Sequence, residues 1–126
     1  MDLKIAQREK ETIVILDLRG EFVLDDDYLL LFQRLLFLLD SRRNKVIVNL
    51  KEVPSIDASL MATLAFCARL FHDMDGRLVL VNPGLPQTQV TDMELDTVLE
   101  SHPEETDAVN SFFPGQMFRA MTFLNS

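Results

Sequence analysis

Asp57-Ala58-Ser59-Leu60 is the stretch of this chain whose residue types and position could do chemistry. It follows a short apolar run, Val46 to Leu50, and a loop holding Pro54 and Ser55, and it opens a long apolar segment. A serine at a helix start has two possible roles. Its oxygen can cap one of the four N–H groups that a helix start leaves unpaired, which contributes about 0.5–2 kcal/mol relative to alanine. Its hydroxyl can also take a phosphate, which brings roughly −1.5 to −2 charge and gains from the helix dipole and the free donors. Such a group changes a surface while the core stays folded. The roles are compatible, and Asp57 is an equally good cap. Ser55 is a second hydroxyl nearby, but it follows Pro54 in the loop.

The other reactive side chains are scattered. Asp25, Asp26 and Asp27 are three consecutive acids, which rarely converge on one ion; at a helix start they act as caps and oppose the dipole. His72 and His102 lack metal-ligand spacing. Cys67 lies on an apolar stripe and reads as a core residue with no evident activating neighbour. The chain has no Gly-rich phosphate loop and no nucleophile elbow, and Asn82-Pro83-Gly84 reads as a turn. The expectation is therefore no catalytic set, no metal and no cofactor: a protein that is not an enzyme.

The elements that must position Ser59 follow from periodicity. Thr12 to Arg19 is β-branched and apolar and ends at Gly20, the pattern of a strand. Leu3 to Arg8 is a shorter strand that pairs with it across Glu9-Lys10-Glu11. Asp25-Asp26-Asp27 opens a helix to about Leu39. Val46 to Leu50 has the near-continuous apolar run of a central strand covered on both faces. A helix follows from about Ser59 to Met74, with Leu60, Leu64, Cys67, Phe71 and Met74 on one face, and Gly76 stops it. Arg77 to Asn82 is the next strand. A short helix is expected around Pro86 to Met93, an extended piece near Thr97 to Leu99, and a last helix from Pro103-Glu104-Glu105 to about Phe112. Strands alternating with helices predict an α/β domain around one central sheet.

Composition narrows the function. A chain of 126 residues with 48% hydrophobic and 25% charged residues suits one globular domain. A net charge of −8 argues against nucleic-acid binding, since phosphate repels an acidic surface. A single cysteine forms no internal disulfide, which suits a reducing compartment. No stretch reaches the ~20 apolar residues that span a bilayer, and Met1-Asp2-Leu3-Lys4 lacks a signal peptide's apolar core. A cytoplasmic location is expected.

The run from Val46 to Leu60 resembles the strand–loop–helix signature of STAS domains, the family that includes the anti-sigma factor antagonists. Asp57 and Ser59 fit a family pattern like Asp-Ser-Ser-Gly, while Leu60 stands where glycine is usual and Asn49 where aspartate is common. Gly76-Arg77-Leu78-Val79-Leu80-Val81 is similar to the family's glycine-then-strand step, and Pro103 to Ala108 to its acidic final helix. The resemblance spans about Ile13 to Phe113. It implies a single STAS-like domain over residues 1–113, a central mixed β-sheet with packed α-helices. It further implies an anti-sigma factor antagonist-like protein that regulates transcription by partner switching. The partner would be an anti-sigma factor or serine kinase-like protein, Ser59 the phosphorylation site, and Asp57, Ala58, Ser59 and Leu60 the contact surface. Two placements of Leu60 are open: into the core, or over the serine, where it would hinder a kinase. The alternative is a non-switching STAS scaffold or a subunit of a larger assembly.

The first helix is greasy nearly all round, with Leu29-Leu30-Leu31-Phe32 and Leu35-Leu36-Phe37-Leu38-Leu39. Residues 114–126 form an apolar extension bearing Met117, Phe118, Met121, Phe123 and Leu124. Such surfaces need cover. The extension is expected either to pack on its own domain or to build a homodimer.

Overall fold

The computed structural model describes residues 2–82, 90–92 and 97–113. Two strands, β1 (Lys4–Lys10) and β2 (Ile13–Arg19), form an antiparallel hairpin. The strand β1 is longer than expected, and Glu11 takes a left-handed φ of 59° in the turn. The helix α1 (Asp25–Asp40) crosses to β3 (Lys45–Glu52), which runs parallel to β2. The helix α2 (Ala58–Asp73) then crosses to β4 (Arg77–Val81), parallel to β3. A small ribbon of β5 (Val90–Asp92) and β6 (Thr97–Leu99) stands apart from the main sheet. The strand β7 (Ser101–His102) joins β4, and α3 (Glu105–Asn110) closes the described chain. The main sheet has the order β1-β2-β3-β4-β7 and is mixed, as expected.

The sheet separates two cores because successive strand residues point to opposite faces. On one face Val14, Leu16, Val46, Val48, Leu78 and Leu80 meet the two long helices. On the other, Ile13, Ile15, Ile47, Val79 and Val81 meet Ala108 and Val109 of α3. This explains why β2, β3 and β4 read as continuous apolar runs: both faces are covered. The helix α1 buries Leu31, Leu35, Leu38 and Leu39, while α2 buries Leu60, Leu64, Cys67 and Phe71. Among the described residues no helix is long and apolar enough to cross a membrane.

Gly76 is required by close approach. A Cβ there would lie 2.5 Å from the Asn44 carbonyl oxygen and 2.7 Å from the Asn44 Cβ. Its N–H also donates to the Phe71 carbonyl at 2.6 Å, which closes the end of α2.

Several expectations need correction. Met74 does not finish the buried stripe; α2 ends at Asp73, and Met74 is the C-terminal cap, 58% exposed. Periodicity carries no information past the point where the backbone leaves the helix. The helix expected around Pro86 to Met93 fails where it can be seen, since Val90–Asp92 is a strand paired with Thr97–Leu99. A three-residue ribbon strand leaves too short a pattern to outweigh the turn signals around it. Residues 86–89 and 93 lie outside the described residues, as does the 114–126 extension. The last helix is shorter than expected, with Ser111 and Phe112 in a turn.

Candidate functional site

The loop between β3 and α2 is tied down from both sides. Val53 N–H donates to the Leu50 carbonyl at 3.1 Å, and the Val53 side chain is buried. Ile56 packs against the larger core. The chain enters α2 through Asp57, whose extended φ of −93° and ψ of 175° is ordinary for a cap. One Asp57 oxygen accepts the Leu60 N–H at 2.8 Å. The other accepts the Tyr28 hydroxyl from α1. Asp57 is thus the cap, and it also staples the starts of the two long helices together.

These contacts explain the local electrostatics. The Tyr28 hydroxyl, then the Leu60 N–H, hold the Asp57 carboxyl below the usual carboxylate range. Reciprocally, Asp57 pushes the Tyr28 hydroxyl up to about 12. Tyr28 also packs on Phe22, with ring centroids 5.2 Å apart.

Ser59 is released from capping and is exposed in the first turn of α2. Its carbonyl accepts the Thr63 hydroxyl at 2.9 Å. Leu60 is fully buried and packs in the larger core. Of the two placements open for Leu60, the structure takes the core, so the residue neither covers Ser59 nor presents a side chain to a partner. Asp57, Ala58 and Ser59 remain on the surface.

Beside Ser59 lies a groove of about 410 Å³ between the two helices, lined by Tyr28, Leu29, Phe32, Ala62, Thr63 and Phe66. The rings of Phe32 and Phe66 are 5.9 Å apart. Leu29 and Phe66 of its lining are exposed. None of these residues stood out in the sequence as part of the site. The available signal was the four-residue spacing of Tyr28 with Phe32 and of Ala62 with Phe66, which places each pair on one helical face.

The acidic triplet is a helix-start device, though only one member makes the bond. Leu24 is the N-terminal cap residue, and the Asp27 carboxylate accepts the Val23 and Leu24 N–H groups at 2.9 and 3.0 Å. Asp25 and Asp26 complement the dipole from the first turn. Cys67 is a core residue, and burial pushes its thiol up to about 12. His72 is exposed in the last turn of α2, and His102 is 3.4 Å from Glu100. Among the described residues no group of three potential ligands could hold a metal.

The sequence pattern of the STAS domain matches residues 4–95, well over half of the chain. The chain belongs to the STAS domain family. Solved structures agree on this STAS fold. A candidate anti-sigma factor antagonist from Thermotoga maritima is 16% identical with a TM-score of 0.66, over 85% of this chain and 92% of that one. The anti-sigma factor antagonist SpoIIAA in its unphosphorylated form is also 16% identical, with a TM-score of 0.56, over 67% of this chain and 76% of that one. The protein Mglu is 20% identical with a TM-score of 0.54 over 63% of this chain, which spans only 19% of the Mglu chain. A comparison with curated proteins finds no match.

Asn49, where the family resemblance implies an aspartate, uses both ends of its amide. Its amide donates to Asp17 at 2.8 Å, and its own oxygen accepts the Lys51 N–H at 3.1 Å. Asp17 already carries a carboxylate, held low first by Arg8 at 2.6 Å. A second carboxylate at position 49 would face it with like charge and no donor.

Proposed function

We propose that this STAS domain is an anti-sigma factor antagonist-like regulator that acts by binding a protein partner rather than by catalysis. The partner is an anti-sigma factor or a serine kinase-like protein. It docks on the exposed start of α2, at Asp57, Ala58 and Ser59, with the Tyr28–Phe32–Phe66 groove beside them as the apolar part of the contact. Phosphate on Ser59 weakens that contact.

One observation carries this reading: Ser59 is exposed while Asp57 caps the helix and Leu60 fills the core. Within four residues these roles fall to three different side chains, so the serine is free for modification. A phosphate there sits at a helix N-terminus, where dipole and donors tolerate it. It also sits beside the Asp57 carboxylate and so raises the negative charge of an already acidic rim. The fold loses little, and the cost falls on the partner that must pack there or bring its own acids close. The likeness to SpoIIAA, named for its unphosphorylated form, supports the same view.

The test is affinity capture from the native host's lysate with wild type and Ser59→Asp as paired baits. Wild type is expected to retain a kinase-like or anti-sigma protein. Ser59→Asp should lose it by about tenfold or more in affinity, equivalent to about 1.4 kcal/mol, with an unchanged melting temperature. Equal retention of the same proteins by both baits would overturn the switch and leave a scaffold role.

A further inference from the structure

The outward side of α1 carries a stripe of its own. Asp26, Leu30, Gln33, Phe37 and Asp40 are all exposed and recur at spacings of four and three, which is one helical face. Leu30 and Phe37 are the large apolar members. Phe37 is 67% exposed and borders a groove of about 440 Å³ that Leu36, Leu39 and Met74 also line. Met74 is itself exposed. Contiguous apolar surface left in water marks a contact site.

The charges around Phe37 identify what it contacts. Arg34 lies three residues before Phe37 and Asp40 three residues after, so both neighbour the ring on the helix surface. Neither forms an ion pair among the described residues. Neither can find one within α1. The positions three and four away from Arg34 are Leu30, Leu31, Phe37 and Leu38, and those before Asp40 are Leu36 and Phe37. Arg43, three residues beyond Asp40, is bonded to Glu9 instead. Asp40 also ends α1 with no basic residue in the last turn, where a carboxylate opposes the dipole.

One cation and one anion at equal spacing on either side of an exposed ring are self-complementary. In two copies of α1 set antiparallel, with Phe37 level with Phe37, Arg34 and Asp40 stand about 4.5 Å to either side of that level. Arg34 of each copy is then level with Asp40 of the other. A parallel pair would set like charges level with each other. An antiparallel pair shifted so that Phe37 meets Gln33 would set Leu30 against Asp40. Only the first arrangement satisfies both charges and covers the ring.

We propose that this end of α1 is a two-fold interface between copies of this chain, in which Phe37 packs on Phe37 of the second copy and two Arg34–Asp40 pairs close its flanks. Such an interface is isologous, each copy giving the same patch. Leu36 and Met74 widen its apolar part. The patch is one helix face wide, so the dimer is weak and forms with rising concentration. It leaves the Ser59 surface open. Phe37 is about 18 Å along the axis from Asp25, and it is the start of α1 that Tyr28 bonds to Asp57.

Sedimentation velocity of the full-length chain over a concentration series tests this. Wild type should pass from monomer to dimer as concentration rises. Arg34→Asp alone and Asp40→Arg alone each set like charges against each other in both pairs, so each should weaken dimerisation about tenfold or more. Phe37→Ser should weaken it to a similar degree by removing the shared ring. An equimolar mixture of the Arg34→Asp and Asp40→Arg chains should regain wild-type affinity, because opposite charges meet again in both pairs. The double variant Arg34→Asp/Asp40→Arg should regain it as a homodimer. Recovery of either ties the two charges together across the interface and shows that the substituted chains fold. A chain that stays monomeric at every concentration overturns the proposal. So does a dimer that the single substitutions leave intact, and so does failure of both the mixture and the double variant to recover.

Discussion

At one end of the α1–α2 pair, Tyr28, Asp57 and the Leu60 N–H make a closed hydrogen-bonded staple, and Ser59 stands free beside it. At the other end, Phe37 and Met74 are left exposed above Asp40. The helices pack on the same sheet face at both ends. The difference is in what holds the exposed surface in place. The Ser59 end is positioned by directional bonds between side chains and backbone of the two helices. The Phe37 end leaves apolar area exposed, with the Asp40 carboxylate at its edge. One pair of helices therefore carries an end set by directional bonds and an end that leaves apolar area in water.

The comparison breaks most sharply at Leu60. If it belongs wholly to the core, Leu60→Ala should destabilise the domain by about 2–5 kcal/mol in denaturant melts. It should do so at the Ser59 end without altering any surface side chain. A stable Leu60→Ala that had lost partner binding would move Leu60 back to the surface and undo the division.

Gly76 probes the other end. An added methyl meets backbone and Cβ atoms of Asn44 rather than a flexible side-chain tip. Gly76→Ala should cost about 1–3 kcal/mol as overpacking, read by the same melts. A neutral result would show that the turn after α2 yields, and with it the rigidity assumed for the Met74 end.

The smallest effects separate Asp57 from Ser59. Asp57→Ala should lower the melting temperature measurably, while Ser59→Ala leaves it nearly unchanged, because the first removes the cap and the interhelix bond. The pH dependence has a defined sign. Asp57 has a folded pKa below its unfolded value of about 3.9, so its stabilisation is complete above that value and disappears as pH falls through the folded pKa. Arg8 likewise holds the Asp17 and Glu105 carboxyls below their usual range. The contrast is therefore wild type against Asp57→Asn, which keeps an oxygen acceptor but does not ionise. The gap between the two melting temperatures should narrow below about pH 4. A constant gap would mean that ionisation of Asp57 contributes nothing to the staple.

Most of the scaffold was legible because its signals are local. The runs Thr12 to Arg19, Val46 to Leu50 and Arg77 to Asn82 announced strands, and the stripe Leu60, Leu64, Cys67, Phe71 announced the buried face of α2. The ribbon of β5 and β6 was partly missed because three-residue strands acquire their identity from pairing, not from pattern. The site was legible as a short stretch but not as a division of labour. Asp57 and Ser59 are both good cap residues, and nothing within four residues of sequence decides between them.

By itself the sequence determined the elements, their order, the acidic helix starts and a serine at the opening of α2. These depend on side-chain period and on preferences that act within a turn or two of backbone. Only the tertiary structure decided that Asp57 is the cap, since it is Tyr28, 29 positions away, that completes the bond. The same is true of Leu60, whose place in the core depends on the sheet beneath it, and of the contrast between the two ends of the helix pair. Those outcomes turn on which distant groups arrive at a given point in space, and distance along the chain carries no record of that.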